Sequence, residues 1–208
     1  LEIDMKAFEK EMEEQRRRAR SAWKGEEEAK EKAKYENLPP VEFIGYDEEE
    51  GEGKILAIFK GEEKITALRK GEEGEIVLDR TPFYGEAGGQ IGDTGFMEKE
   101  GAVLRVLDTK SPALGLIVHR VRVEAGEFKV GDLVVARIDK ERRDAIRRHH
   151  TATHILHRAL KEVLGPHVKQ SGSVVEPDRL RFDFTHYEKP SPEQLRAVEE
   201  LANKIVLA

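Results

Sequence analysis

Apolar positions recur along this chain at different spacings, and the spacings divide it into three parts. Met5, Phe8 and Met12 follow one another at intervals of three and four, and Ala19 and Trp23 extend the same face. That is the period of a helix with one apolar stripe. Its other positions are almost wholly charged, so residues 1–38 read as a connector helix whose stripe must pack on something else. Asn37-Leu38-Pro39-Pro40 ends it, because proline cannot continue a helix and drives the preceding residue towards extended geometry. The pattern then changes to short β-branched runs: Ile55–Phe59, Ile76–Leu78, Val103–Leu107, Leu116–Val121 and Leu133–Ala136. Glycines at 51, 53, 61, 71, 74, 101, 126 and 131 punctuate them. Short strands at close spacing with turn residues between them predict a small antiparallel β-barrel over residues 39–139.

Residues 140–208 return to helical spacing around a hairpin. Asp139 is a good N-cap for a helix running to about Leu164, and Gly165-Pro166 closes it. Two strands follow, Val168–Val175 and Leu180–His186. In the second, Leu180, Phe182 and Phe184 alternate with Arg181, Asp183 and Thr185, the signature of a half-buried strand. Ser191-Pro192-Glu193-Gln194 opens a last helix as a capping box with proline at its first position. That helix carries Leu195, Val198, Leu201 and Ile205 and meets no stop signal before Ala208. The chain therefore reads as an internal piece of a longer protein. The predicted class is α+β: connector helix, antiparallel barrel, then helix–hairpin–helix. The acidic run Asp47-Glu48-Glu49-Glu50 reads as a loop.

Composition narrows what this fold could do. Charged and hydrophobic residues each make up 38% of the 208 residues, which describes a soluble protein with a heavily ionised surface. No apolar run approaches the roughly 20 residues needed to span a bilayer, and the charged first stretch is no signal peptide. There is no cysteine, so disulfides and thiolate metal sites within this stretch are excluded, and a cytoplasmic setting fits. The net charge of −6 argues against indiscriminate binding of nucleic acid, DNA included. Its distribution matters more. Residues 137–161 hold eight Lys or Arg and three Asp or Glu, a basic stretch on an acidic body. Arg142, Arg143, Arg147 and Arg148 within it are candidate phosphate contacts; the alternative is an ordinary solvated helix face.

Three segments carry candidate chemistry. In His150-Thr151-Ala152-Thr153-His154 the two histidines are four residues apart, about 40° around a helix, so both imidazoles share one face. His157 falls in the same arc and His149 points elsewhere. A helix offers two nitrogens to one metal ion in this way, but a zinc site needs three or four ligands, so the face is either part of a metal site or simply polar. A metalloprotease would require Glu after the first histidine; Thr151 stands there. The second segment, Thr81 to Gly95, holds five glycines including the run Gly88-Gly89-Gln90. It matches neither a phosphate-binding loop nor a dinucleotide fingerprint, and is either a backbone approach to a ligand or a long turn. The third, Lys169-Gln170-Ser171-Gly172-Ser173, sets polar side chains in a strand after the histidine helix, as a small polar substrate or an exposed edge would require.

Together these segments closely resemble the middle of the bacterial-type alanyl-tRNA synthetases. The resemblance rests on Thr81-Pro82-Phe83-Tyr84 through Gly88-Gly89-Gln90 to Gly92-Asp93-Thr94-Gly95, on His150-Thr151-Ala152-Thr153-His154, on Gln170-Ser171-Gly172-Ser173 and on Arg181-Phe182-Asp183-Phe184. Phe8 to Arg20 and Phe43-Ile44-Gly45-Tyr46 fit the flanks. Free-standing editing deacylases share the pairing of Gly-Gly-Gln with His-x-x-x-His, and the second domain of threonyl-tRNA synthetase is a more distant relative. The resemblance implies an editing region over residues 140–208 that hydrolyses serine or glycine wrongly esterified to tRNA(Ala). It implies a parent enzyme that attaches alanine with ATP at a site outside this stretch. His150 and His154 would be zinc ligands, completed by a Cys-x-x-x-His pattern further downstream. Gln170 would be the catalytic pocket residue. Gly88, Gly89, Gln90, Thr153 and Ser173 would contact substrate or tRNA, and Arg147 and Arg148, candidates from charge, would reach the tRNA. His149 stands where the family has Asn, which leaves its role open. The alternatives are a free-standing deacylase and a tRNA-binding module without catalysis.

Overall fold

The computed structural model describes Met12 and residues 34–207; the connector helix predicted over residues 1–38 lies almost entirely outside them. Residues 39–208 form one compact unit. Its first half is built from β1 (Glu42–Phe43), β2 (Glu50–Lys60), β3 (Glu63–Ile65), β4 (Ala67–Arg69), β5 (Glu73–Leu78), β6 (Arg80–Thr81), β7 (Gly95–Lys99), β8 (Ala102–Ala113), β9 (Leu116–Ala125), β10 (Glu127–Lys129) and β11 (Leu133–Ile138). Six of these close a ring in the order β2-β5-β9-β8-β7-β11, and every pairing in it is antiparallel. Closure depends on the long β2. Its first half, from Glu50 to Lys54, pairs with β11, and its second half, from Ile55 to Phe59, pairs with β5. A closed ring leaves none of the six strands as a free edge.

Period-two alternation decides which side chains fill the ring. Val134, Ala136 and Ile138 of β11, Ala102, Leu104 and Val106 of β8, and Val121 and Val123 of β9 point inward, and the residues between them are more exposed. Leu68 of β4, Phe128 of β10 and Phe83, just after β6, reach the same core. The barrel and all five strands read from the sequence are present. The sequence pattern did not reveal β1, β3, β4, β6, β7 and β10. In β7, for example, Gly-Phe-Met-Glu-Lys, only Met97 is a buried large side chain, too little for a periodicity. Glu50, expected in a loop, opens β2.

After the barrel come α1 (Lys140–Leu164), β12 (Gln170–Val175), β13 (Leu180–Phe184) and α2 (Pro192–Val206). Asp139 caps α1, its side chain accepting from Arg142 N. Ser191 and Gln194 form the expected capping box of α2. One face of α1, Ala159, Leu160 and Leu164, packs on Val198 of α2, with Phe182 and Phe184 of the hairpin against them. This second core is small, and it leaves the polar stripe of α1 facing β12. Among the described residues no helix is long and apolar enough to cross a membrane.

Candidate functional site

The site begins with the segment between β6 and β7. Asp93 closes its base: Oδ2 accepts from Tyr84 N at 2.7 Å, and Asp93 N donates to Tyr84 O at 3.0 Å. The carboxylate also holds Arg143, one turn into α1, through Nε at 2.9 Å to each oxygen and through a closer contact from Nη2. Arg143 spends its remaining donors on Gly45 O at 3.0 Å and Pro82 O at 2.9 Å. Arg142 Nη1 donates to Gly92 O at 2.8 Å. Both members of the ion pair are buried, Arg143 at 4% and Asp93 at 1% exposure. A planar guanidinium with each of its three nitrogens directed at a fixed acceptor acts as a rivet. It fixes the start of α1 against the barrel loop. The expectation that Arg143 contacts phosphate is therefore corrected: the side chain is sealed inside.

With its base fixed, the loop carries Gly88-Gly89-Gln90 onto β12. Val175 N donates to Gly89 O at 2.8 Å, and Ile91 N to Val175 O at 3.3 Å. Gly89 has φ +86°, and a Cβ there would collide with Ser173 Oγ and lie 2.5 Å from Ser173 O. Only glycine allows the two backbones this close with that torsion. The approach delivers Gln90, itself nearly buried, to α1: His150 Nδ1 donates to Gln90 Oε1 at 2.6 Å. That bond fixes the tautomer and leaves Nε2 of His150 as the free nitrogen. His154 lies one turn further on, its ring 5.1 Å from that of His150 and 18° from parallel.

The two rings face a small cavity of about 60 Å³ lined also by Gly88, Thr153, His157, Gln170, Ser173, Val175 and Phe182. Room for a few heavy atoms follows from that volume. Gln170 Nε2 donates to Ser173 Oγ at 3.0 Å, and that hydroxyl sits 3.5 Å from Gly88 O. Thr153 turns its own hydroxyl back to His149 O at 2.8 Å, so towards the cavity it has only its methyl and acceptor capacity. His157 lies against Phe182 at 5.0 Å between ring centres, and its Nε2 is buried without a partner.

The structure thus brings His150, His154, Gly88, Gln170, Thr153 and Ser173 to one place. Gly89 and Gln90 sit just behind it, supporting Ser173 and His150. Arg147 and Arg148 do not join them. They line a separate open groove with Ile155, Ile205 and Val206, and Arg147 pairs with Asp144 at 3.6 Å. His149 ties α1 to the hairpin turn, its Nδ1 2.7 Å from Glu176 O. The Asp93–Arg143 pair had no signal in the sequence. Its partners are fifty positions apart, and neither sits in a pattern that marks a buried charge. For zinc, the two stacked imidazoles with an amide-fixed tautomer suit half of a tetrahedral site. Among the described residues no group of three or more His, Cys, Asp or Glu completes one.

Comparison with known proteins extends the picture. The sequence profile of the family described as tRNA synthetases class II (A) matches residues 1–142, ending in the first turn of α1. Full-length similarity runs on through the histidine helix and the hairpin. The alanine–tRNA ligase of Myxococcus xanthus is 49% identical over 209 residues, covering 98% of this chain and 23% of its own length. That of Nitrobacter winogradskyi is 46% identical, covering 99% of this chain and 24% of its own length. That of Thermus thermophilus has the same identity and coverage over 212 residues. The chain spans about a quarter of the length of these relatives.

Proposed function

The chain belongs to the class II (A) family of tRNA synthetases, as a stretch of an alanyl-tRNA synthetase, and from that premise we propose that its histidine cavity edits: it hydrolyses the ester of serine or glycine misattached to tRNA(Ala). One observation carries this reading. His150, His154 and Gln170, scattered over two elements, converge on a cavity closed by the Gly-Gly-Gln loop, and the cavity suits a small polar substituent. The chemical need is general. A pocket that accepts alanine rejects glycine by only about 1–3 kcal/mol, since one methyl separates them, so a second hydrolytic site is required.

In this mechanism Gln170, steadied by Ser173, presents its amide to the carbonyl or amino group of the misattached residue. Gln90 holds His150 in the tautomer that turns Nε2 towards the substrate. His150 and His154 would hold a zinc ion together with ligands outside the described residues. When bound, the ion supplies either a more acidic water or an anchor for the substrate's α-amino group. Aminoacylation with ATP, and the recognition of the rest of the tRNA, belong to the parent enzyme, which we place in the cytoplasm.

The test is deacylation of serine-charged tRNA(Ala) by this chain and by a longer piece of the parent enzyme. Activity in at least one form, lost in Gln170→Ala and in His150→Ala while correctly charged alanine tRNA is spared, supports editing. No deacylation in either form overturns it, and binding of tRNA without turnover would mark a recognition module instead.

A further inference from the structure

Beyond the cavity, at the open end of the hairpin, three aromatic rings meet. His167 Nε2 and His186 Nδ1 lie 2.8 Å apart, their ring centres 5.0 Å apart and their planes 18° from parallel. Those values describe two rings joined edge to edge by one hydrogen bond. Tyr187 stacks on His167 at 4.5 Å and 26°, lying 6.1 Å from His186. Its side chain is 86% exposed. An aromatic ring so exposed, held in place from beneath by a second ring, gains nothing from burial. It is oriented for something that stacks on it.

The position of the cluster selects the partner. His167 precedes Gln170 by three residues. Across the hairpin, Gln170 pairs with Phe184 and Thr185 N donates to Lys169 O at 2.9 Å, so Tyr187 lies as many residues beyond this rung as His167 lies before it. At no more than about 3.3 Å per residue, the backbones of His167 and Tyr187 stand within about 10 Å of the Gln170–Phe184 rung, the reach of a short piece of single strand. Lys169 and Lys189 are exposed beside them, with Glu188 as the acidic neighbour. We propose that His167, His186 and Tyr187 form a stacking platform for an unpaired base near the 3′ end of the RNA whose aminoacyl ester enters the cavity. Single-stranded ends are bound in this way, by aromatic faces flanked by positive charge and with little regard to sequence. The inference rests on the editing reading for the identity of the RNA, but the platform itself can be tested without turnover.

The experiment measures binding of the whole chain to two labelled RNAs: a duplex with a short unpaired 3′ end, and the same duplex made blunt. Wild type should prefer the overhang. Tyr187→Ala, a change at an exposed side chain, should weaken overhang binding by roughly 5- to 150-fold, the loss expected for one stacked base. It should leave blunt-duplex binding unchanged, and Tyr187→Phe should retain the wild-type affinity. Equal binding of the overhang by wild type and Tyr187→Ala overturns the platform, and so does a wild type indifferent to the overhang. If Tyr187 proves necessary while serine-charged tRNA is not deacylated, the platform stands and the editing reading falls. If deacylation occurs and Tyr187→Ala binds normally, the reverse holds.

Discussion

Two histidines, His119 in the barrel and His150 on α1, show the same side chain in two settings, one closed on all sides and one open to a cavity. His119 is fully buried, with one ring nitrogen 2.9 Å from Thr81 Oγ1 and the other 2.9 Å from Ile76 O. Its ring meets Phe83 edge to face at 5.4 Å. Every polar atom is satisfied from within, so the residue can only hold β5, β6 and β9 together. His150 has one nitrogen satisfied by Gln90 and the other left towards a cavity. The same contrast extends outwards. The barrel buries Thr81, Thr109 and Asp93 with their partners, whereas the face between α1 and β12 sets His154, Gln170 and His157, with its unpartnered nitrogen, around a cavity. Polar groups that are complete make structure; those left half complete are what the proposed site is built from.

The sharpest way to break this contrast is to remove the rivet between the two regions. Arg143→Ala leaves the Asp93 carboxylate buried and uncompensated, and should destabilise the chain by about 3–5 kcal/mol. Arg147→Ala, at an exposed i,i+3 pair, should change stability by less than about 1 kcal/mol. Urea unfolding of the two variants checks the difference. Equal effects would mean that charge in α1, and not burial of one pair, sets the stability.

His119 gives the next largest effect, and a signed one. Desolvation outweighs its backbone hydrogen bond and lowers its pKa to about 4 from the ordinary 6.5. Above pH 6.5 neither the folded nor the unfolded chain protonates this ring. As pH falls from there towards 4, the unfolded chain takes up the proton first, so stability is lost across that window, by about 3 kcal/mol in all. Unfolding free energies between pH 7 and pH 4 should therefore fall more steeply in wild type than in His119→Gln. Parallel curves would show that this histidine is not held neutral by the fold.

A smaller effect separates the two adjacent glycines. At both Gly88 and Gly89 φ is positive, but a Cβ at Gly88 meets nothing within 4 Å, while at Gly89 it collides with Ser173. Gly88→Ala should cost about 1 kcal/mol from torsion alone. Gly89→Ala adds the clash, should cost about 1–3 kcal/mol, and should separate the loop from β12. Chemical denaturation ranks the pair, and equal costs would mean that the loop does not press on β12 as described.

These residues also show what the sequence could disclose. The barrel's main strands were legible because β2, β5, β8, β9 and β11 each carry a run of apolar, largely β-branched residues between glycine-marked turns. The short pairs β1–β6 and β4–β10 were not, since two or three residues hold no period. At the site, helix geometry alone placed His150 beside His154, and both capped helices were found from local chemistry. Gln90 as the partner of His150, and Asp93 as that of Arg143, depend on a loop folding back across the barrel. No spacing rule encodes contacts sixty and fifty positions apart. Resemblance to a family grouped His150, His154, Gln170 and the Gly-Gly-Gln loop, which the fold brings to one cavity, while Arg147 and Arg148, expected from charge to contact tRNA, line a different groove.

The smallest structural effect is expected at Gln170. Gln170 is exposed, and its one intramolecular side-chain bond, to Ser173 Oγ, is also exposed. Replacing it by alanine removes no core contact, so unfolding free energy should stay within about 0.5 kcal/mol of wild type. Under the proposed function the same substitution should abolish deacylation of serine-charged tRNA(Ala). His119→Gln should behave in the opposite sense, weakening the fold while leaving deacylation by the folded fraction intact. Measuring both quantities on both variants tests the contrast directly. If Gln170→Ala destabilised the chain as strongly as His119→Gln, the polar face of α1 and β12 would be scaffold after all, and the distinction between completed and open polar groups would fail at the place where it was drawn.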